Sequence, residues 1–365
     1  MPSPIQRWWD RLLGRGTAAI TVPIMDGAIQ PNRALDEAAV VLSLPGIDDI
    51  ASDGAHLWIS AGSVLYRMDG QQALEVRRFD APITALAADG QGRIAVALGG
   101  CELRLIDAEG VTVAQTRTLG GRGLHSANAL AFEGGGSLLV SDGSEQFGPE
   151  QWCHDLMQHG KTGKVGRWNW QSGKSTLLAQ GLAYAFGVLA DQGMARWSES
   201  WKHTLGAVRG TGAALASTVA ELPGYPSRMA QAQGGGLWLT CFVCRTQLVE
   251  FVLREDAYRN RMMKEVHPSQ WVAPALSSGK SFLEPLQGAG VKTMGVLKPW
   301  APPRSYGLVL RVADDGRVLS SLHSQVDGQH HGITAVAEHA GALYLVSKGS
   351  ARLLRVELHC AGDVA

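Results

Sequence analysis

The chain has 365 residues, 45% of them hydrophobic and 18% charged, enough to bury a sizeable core and too apolar for a disordered chain. Lys plus Arg and Asp plus Glu both number 33, so the formal net charge is zero and nothing electrostatic argues for a nucleic-acid or strongly anionic partner. The 45 glycines and 11 tryptophans point to many tight turns between strands anchored by aromatic residues.

At the N-terminus, Ile5, Trp8, Trp9, Leu12 and Leu13 fall at helical spacing, with Arg7, Asp10, Arg11 and Arg15 on the other side. Gly14 and Gly16 end this short amphipathic helix, and residues 1–36 read as the helix and a linker. Tandem tryptophans beside arginines suit a membrane interface, and docking on the protein's own surface explains the pattern equally well. No run approaches 18 apolar residues and there is no secretory h-region, so the expected location is cytoplasmic, with peripheral membrane association through residues 1–16 as the alternative.

From Ala38 a repeat of about 40 to 50 residues begins, with one strand, a Gly- or Asp-bearing turn and a second strand carrying a large apolar residue. Ile50-Ala51 then Leu57-Trp58-Ile59 is the first copy. Thr84 to Leu86 then Ile94 to Val96, and Ala129 to Ala131 then Leu138 to Val140, are the next two. Gly187 to Leu189 then Met194 to Arg196, and Arg228 to Ala230 then Leu237 to Leu239, continue the series. The sixth runs Ile333 to Ala337, Ala342 to Val346 and Arg352 to Glu357, three short β runs separated by turns. Fourth strands are expected at Ala73 to Phe79, Thr112 to Thr118, Ser175 to Ala179, Ser217 to Leu222 and Arg317 to His323, but the sixth copy has none. The unpaired run Ala39 to Leu44 can supply it, and closing the ring this way removes the exposed edges of an unfinished sheet. The expected architecture is all-β, a six-bladed β-propeller over residues 37–358 with a tail at 359–365.

Two insertions interrupt the repeats. Gly143 to Gly163 separates the second and third strands of blade three, and residues 248–303 lie inside blade five. Leu248, Phe251, Val252, Tyr258, Met262, Met263 and Val266 keep a helical period up to the His267-Pro268 stop. An unrepeated segment this long on one face of a ring reads as a lid, or as a surface that meets a membrane or partner.

Several chemical motifs are excluded. Gly160-Lys161-Thr162 imitates a phosphate-binding loop, but Asp155 stands where its first glycine belongs. Gly-x-Ser-x-Gly occurs nowhere in the chain, which disfavours a serine hydrolase. The five cysteines are odd in number and scattered, against a disulfide framework, and the lone pair Cys241 and Cys244 reads as buried thiols flanking a strand end.

In a propeller the residues at the start of each innermost strand converge on the central channel. Here these are Asp48 with Asp49, Thr84, Asn128, Phe186, Ser227 and Thr334, the candidate ligand-binding set. Asp48 and Asn128 are the candidate metal ligands; oxygen donors suit Ca²⁺, but that ion takes about 6–8 of them. The same side chains would also satisfy backbone groups where the strands begin. Glu199 and Asp142 end second strands in blades four and three, where each is either a site acid or a turn cap. His331 is a candidate base or ligand; next to His330 on a strand, at most one of the two faces the channel.

The segments Lys161 to Val165 with Ser175 to Leu178, Leu222 to Pro226 followed by Gly236 to Leu239, and Glu338 to Tyr344 resemble the strictosidine synthase-like branch of the senescence-marker, gluconolactonase and paraoxonase propellers. The resemblance spans roughly Ala38 to Glu357 outside the blade-five insertion and implies the propeller fold with a small molecule in the channel. Strictosidine synthases carry a catalytic Glu at the position aligning with Thr334, so the namesake condensation is not implied. Ca²⁺-dependent lactonases of the wider group use a Glu, an Asn and an Asp at positions aligning with Asp48, Phe186 and Ser227, and Asn128 matches a pocket asparagine. The functional expectation is a channel binding a small apolar, ester-like or lactone-like molecule. The alternatives are a lactone or aryl-ester hydrolase with metal held by Asp48, Asn128, Asp142 and Glu199, and a non-catalytic scaffold presenting residues 248–303 at a membrane.

Overall fold

The computed structural model describes residues 22–191, 193–210, 212, 214–279, 281, 283–285, 304–359 and 363–364. They form six antiparallel blades whose innermost strands are Ile47–Ser52, Ile83–Ala88, Ala127–Gly134, Ala185–Asp191, Gly224–Gln231 and Ile333–His339. Each innermost strand packs beside those of its two neighbours, so the six close a ring. In blade six the outermost strand is Ala39–Ser43, which pairs with Arg352–His359 from Ala39 opposite Arg355 to Ser43 opposite Arg352. The closure expected from the missing fourth strand is therefore the one the chain adopts.

Near the axis the inner strands crowd together, and small side chains fit there: Ala85, Ala87, Ala127 and Ala335 are all buried. Farther out the gap between blades widens and is filled by larger groups. Leu103, Leu105, Leu138, Val140 and Trp168, for example, form one core between blades two and three. One outer strand departs from expectation. In blade four it is Ala214–Val219, because Leu222 is already buried and its N–H bonds to the His203 carbonyl (3.0 Å), turning the chain towards blade five. Ahead of the closing strand, Leu35 is fully buried and Asp36 accepts a hydrogen bond from Ser324 Oγ (2.7 Å), which clamps the linker to blade five. The amphipathic pattern at residues 1–16 lies outside the described residues.

Both insertions rise over one mouth of the channel. The first carries the helix Trp152–Met157, and the second carries Gln247–Arg254 and Asp256–Glu265. The expected helical period thus breaks in two at Glu255, whose φ of −84° and ψ of 81° leave the helical region. Thr246 caps the first of these helices by accepting the Val249 N–H (3.2 Å). Val249, Val252, Leu253 and Met262 share a core with Leu156 and Met157 of the other insertion and with Tyr184, Phe186 and Phe242 of the ring. Leu248, Phe251 and Tyr258 remain exposed on the outside, and residues 286–303 lie outside the described ones. No described helix is long and apolar enough to cross a membrane.

Candidate functional site

Each innermost strand is irregular at the same level. The pairing register shifts between Ile47 and Asp49, Ile83 and Ala85, Ala127 and Ala129, Ala185 and Val188, Pro226 and Met229, and Ile333 and Ala335. These are β-bulges, which leave a residue unpaired and re-aim it. The unpaired residues are Asp48, Thr84, Asn128, Phe186 with Gly187, Ser227 with Arg228, and Thr334. In blades four and five two residues stand opposite one, Phe186 and Gly187 facing Ser198 and Ser227 and Arg228 facing Thr240, so the register moves by a single position there too. At Gly187 a side chain would strike the Ser227 carbonyl at 2.3 Å, so the close approach of these two bulges requires glycine.

Five expected side chains, Asp48, Thr84, Asn128, Phe186 and Thr334, line a cavity of about 300 Å³ beneath the insertions. Ser227 does not. Its hydroxyl lies between strands, bonded to Thr240 Oγ1 (2.7 Å) and the Thr240 carbonyl (3.1 Å). The bulge of blade five sends Arg228 into the channel instead, one position beyond the residue expected from the repeat. Which of two adjacent bulge residues turns inward is not written in a period-two pattern, so the repeat marks Ser227.

Arg228 is 5% exposed and crosses the axis. Its Nη2 donates to Asp48 Oδ2 (2.7 Å) and to the Thr84 carbonyl (2.7 Å), and its Nη1 to the carbonyls of Asp48 (2.9 Å) and Thr334 (3.5 Å). Nε donates to the Asn128 carbonyl (2.9 Å) and lies 3.1 Å from Asp49 Oδ2. The guanidinium also sits 5.4 Å from the centre of the Phe186 ring. Arg228 thereby separates the insertion-side cavity from a second one of about 300 Å³ on the opposite face.

Above Arg228, Lys348 Nζ reaches Asp48 Oδ1 (2.6 Å) and Glu150 Oε1 (3.0 Å), linking blade six to the first insertion. Burial pushes the Asp48 carboxyl up, but Lys348 and Arg228 outweigh it and hold the group below the usual carboxylate range. Burial likewise lowers Lys348, while Asp48 and Glu150 raise it by more, so its ammonium is firmly charged. No repeat position marks Lys348 in the sequence, since it follows the second strand of blade six rather than starting an inner one. Facing this polar side are Trp152, Tyr184, Phe186, Phe242 and Leu276. Tyr184 takes a left-handed φ of 62°, held by stacking on Trp201 (4.5 Å between ring centres).

The other expected residues sit elsewhere. Asp142 is fully buried, accepts the Ser126 N–H (2.5 Å) and pairs with buried Lys164 (2.9 Å), so it fixes the turn into blade three. Glu199 accepts the Ala183 N–H (2.8 Å) and pairs with Lys202 (2.5 Å). Neither lines the cavity, and the set Asp48, Asn128, Asp142 and Glu199 is not brought together. His331 Nδ1 bonds Ser305 Oγ (2.7 Å), which in turn meets Ser278 Oγ (2.5 Å), and its Nε2 faces the Gln325 carbonyl (2.7 Å). Because that carbonyl can only accept, Nε2 carries the proton and Ser305 donates to Nδ1. His330 turns towards Ser350 (3.4 Å), so neither histidine lines the cavity. Cys241 and Cys244 are buried in the second strand of blade five, which ends at Cys244.

The Ca²⁺ set implied by the resemblance does not fit these residues. Asp48 is committed to two cations, Phe186 offers no donor and the Ser227 hydroxyl faces Thr240. Among the described residues no group of three or more His, Cys, Asp or Glu side chains converges on one point.

No family model matches the chain. It is 22% identical over 377 residues to the adipocyte plasma membrane-associated protein of Salmo salar, covering 92% of this chain and 82% of that one. It is also 22% identical over 209 residues to a strictosidine synthase-like protein of Arabidopsis thaliana, covering 56% of this chain and 46% of that one. Among solved structures, a gluconolactonase from Xanthomonas campestris superposes with a TM-score of 0.56 at 15% identity, over 92% of this chain and 94% of that one. A luciferin-regenerating enzyme gives 0.54 at 14% identity, over 89% and 95%. The chain is thus a six-bladed propeller with the fold of the gluconolactonases, similar in sequence to strictosidine synthase-like and adipocyte plasma membrane-associated proteins.

Proposed function

We propose that this protein binds a small, partly apolar molecule bearing an ester, lactone or carboxylate group in the insertion-side cavity. One observation carries the reading: a cavity of about 300 Å³ sets an aromatic wall of Trp152, Tyr184, Phe186 and Phe242 against the charged Lys348. The wall takes the apolar body, and the Lys348 ammonium takes a carbonyl or carboxylate oxygen. The volume suits a ligand at the small end of the range that such pockets accommodate. Similarity in fold to a gluconolactonase supports lactones as the first class to test. Glu150, bonded to Lys348 and otherwise open to solvent, is the cavity carboxylate freest to activate a water if hydrolysis occurs.

A panel of aliphatic and aryl lactones, esters and the carboxylates derived from them tests this by thermal shift and tryptophan fluorescence, since Trp152 lines the cavity. Binding should raise the unfolding temperature and change the emission, and Trp152→Ala should diminish both responses. A panel without any response, or responses unaffected by Trp152→Ala, would sink the reading. Turnover is measured in the same samples.

The exposed Leu248, Phe251 and Tyr258, near Arg261, support a separate reading of the insertion as a membrane-contact surface. Flotation with anionic vesicles should then fall in Phe251→Asp, and equal flotation of both proteins would remove the idea.

A further inference from the structure

We infer that the Arg228 guanidinium is the resident cation of this propeller, filling at the ring centre a cradle of oxygens that would otherwise take a free cation. The five N–H groups of an arginine have five acceptors here: the carbonyls of Asp48, Thr84, Asn128 and Thr334 and the Asp48 carboxylate. All four carbonyls belong to bulge residues, one each from blades one, two, three and six. A bulge frees its carbonyl from the ladder, and four such oxygens with a carboxylate gathered round one guanidinium are donors of the kind a hard cation takes. Asp49 adds a second carboxylate oxygen at 3.1 Å from below. Buried carbonyls need partners, and here one side chain from blade five satisfies four blades at once.

The consequence goes beyond the ligand reading and does not depend on it. With every donor occupied, Arg228 is a positioning residue: it keeps four inner strands in register and fixes Asp48 beneath Lys348. The wild-type ring should need no added metal to fold, whereas removing the arginine side chain should uncover a cation site.

Thermal unfolding of the full chain tests this without any ligand. The wild-type transition should be unchanged by millimolar Ca²⁺ or by a chelator. Arg228→Ala should lower it by about 5–10 °C, the size expected when one partner of a buried ion pair is removed. Ca²⁺ or methylguanidinium should recover part of that loss, whereas in Arg228→Met, where an apolar stem fills the cradle, neither should. If Arg228→Ala does not fold, Arg228→Lys keeps the charge with fewer donors and should fall between wild type and Arg228→Met. A wild-type transition raised by Ca²⁺ and lowered by chelator would overturn the inference, as would an Arg228→Ala protein as stable as wild type without added cation.

Discussion

The two cavities on either side of Arg228 have nearly the same size, about 300 Å³ each, and share that one arginine, yet their linings differ in kind. The insertion-side cavity is built from bulge residues, loops and inserted helices, and it gathers Lys348, Asp48, Glu150 and four aromatic rings. The opposite cavity is lined by the regular part of the inner strands, with small residues such as Ala51, Ala87, Ala129 and Ala337 among aliphatic ones such as Leu86 and Val336. Asp48 and Asp49 make the contrast sharp, since they adjoin in sequence and face opposite cavities. Asp48 is held down by two cations. Burial pushes Asp49 up to about 7, with Arg228 pulling the other way. Regular strands close the ring, and the charged and aromatic groups gather where the chain departs from them.

The largest effect expected from this difference is on stability. Asp48→Asn leaves Lys348 with no carboxylate from blade one and Arg228 with Asp49 alone, and chemical denaturation should show a loss of about 3–5 kcal/mol. Ser52→Ala in the opposite cavity removes the hydrogen bond to His339 (2.9 Å) and the exposed one accepted from the Gly54 N–H (3.2 Å), and should cost about 1 kcal/mol. Equal losses would break the comparison.

Next comes affinity. Trp152→Ala should weaken binding of whichever panel member responds by about tenfold or more, since an aromatic side chain contributes roughly 1.5–3 kcal/mol of burial. Ala51→Leu, which fills part of the opposite cavity, should leave the same dissociation constant unchanged.

A third test uses pH. Asp49 has its carboxyl raised in the fold, so between about pH 4 and pH 7 the native state binds more protons than the unfolded chain. That group therefore costs stability as pH rises through this window. Asp48, with its carboxyl lowered, contributes stability above its unfolded value that is lost as the pH falls through its folded one. Asp49→Asn should flatten the decline from pH 4 to 7 by an amount on the order of 1 kcal/mol, and an unaltered profile would show that Arg228 keeps Asp49 ionised throughout.

The smallest effect belongs to Glu150, whose side chain is 82% exposed. Glu150→Gln should leave the unfolding temperature nearly unchanged, because exposed pairs contribute about 0–1 kcal/mol. Ligand association, followed by stopped-flow fluorescence, should be faster once the contact to Lys348 across the mouth is loosened.

Much of the site's address was legible before folding. The starts of the inner strands marked Asp48, Thr84, Asn128, Phe186 and Thr334 because a repeat places equivalent residues at equivalent depth. Ser227 was one position off. The bulge in blade five leaves both Ser227 and Arg228 off the ladder, and which of them turns inward is settled by tertiary packing, with the Ser227 carbonyl against Gly187, rather than by local pattern. Asp142 and Glu199 look like site acids in sequence because they are carboxylates at strand ends. In the fold they hold backbone N–H groups and lysines behind the cavity wall.

The sequence by itself determined the ring. Six copies of one strand unit, a missing fourth strand in the last and a spare strand at the start admit few other closures, because every buried edge needs a partner. Only the tertiary structure decided what stands at the centre. Arg228 meets residues 100 to 180 positions away in blades one and three, and no local pattern encodes which side chain reaches an axis shared by six strands. The physical reason is that periodicity reports burial along one strand, whereas a charge at the ring centre is placed by oxygens from four blades at once.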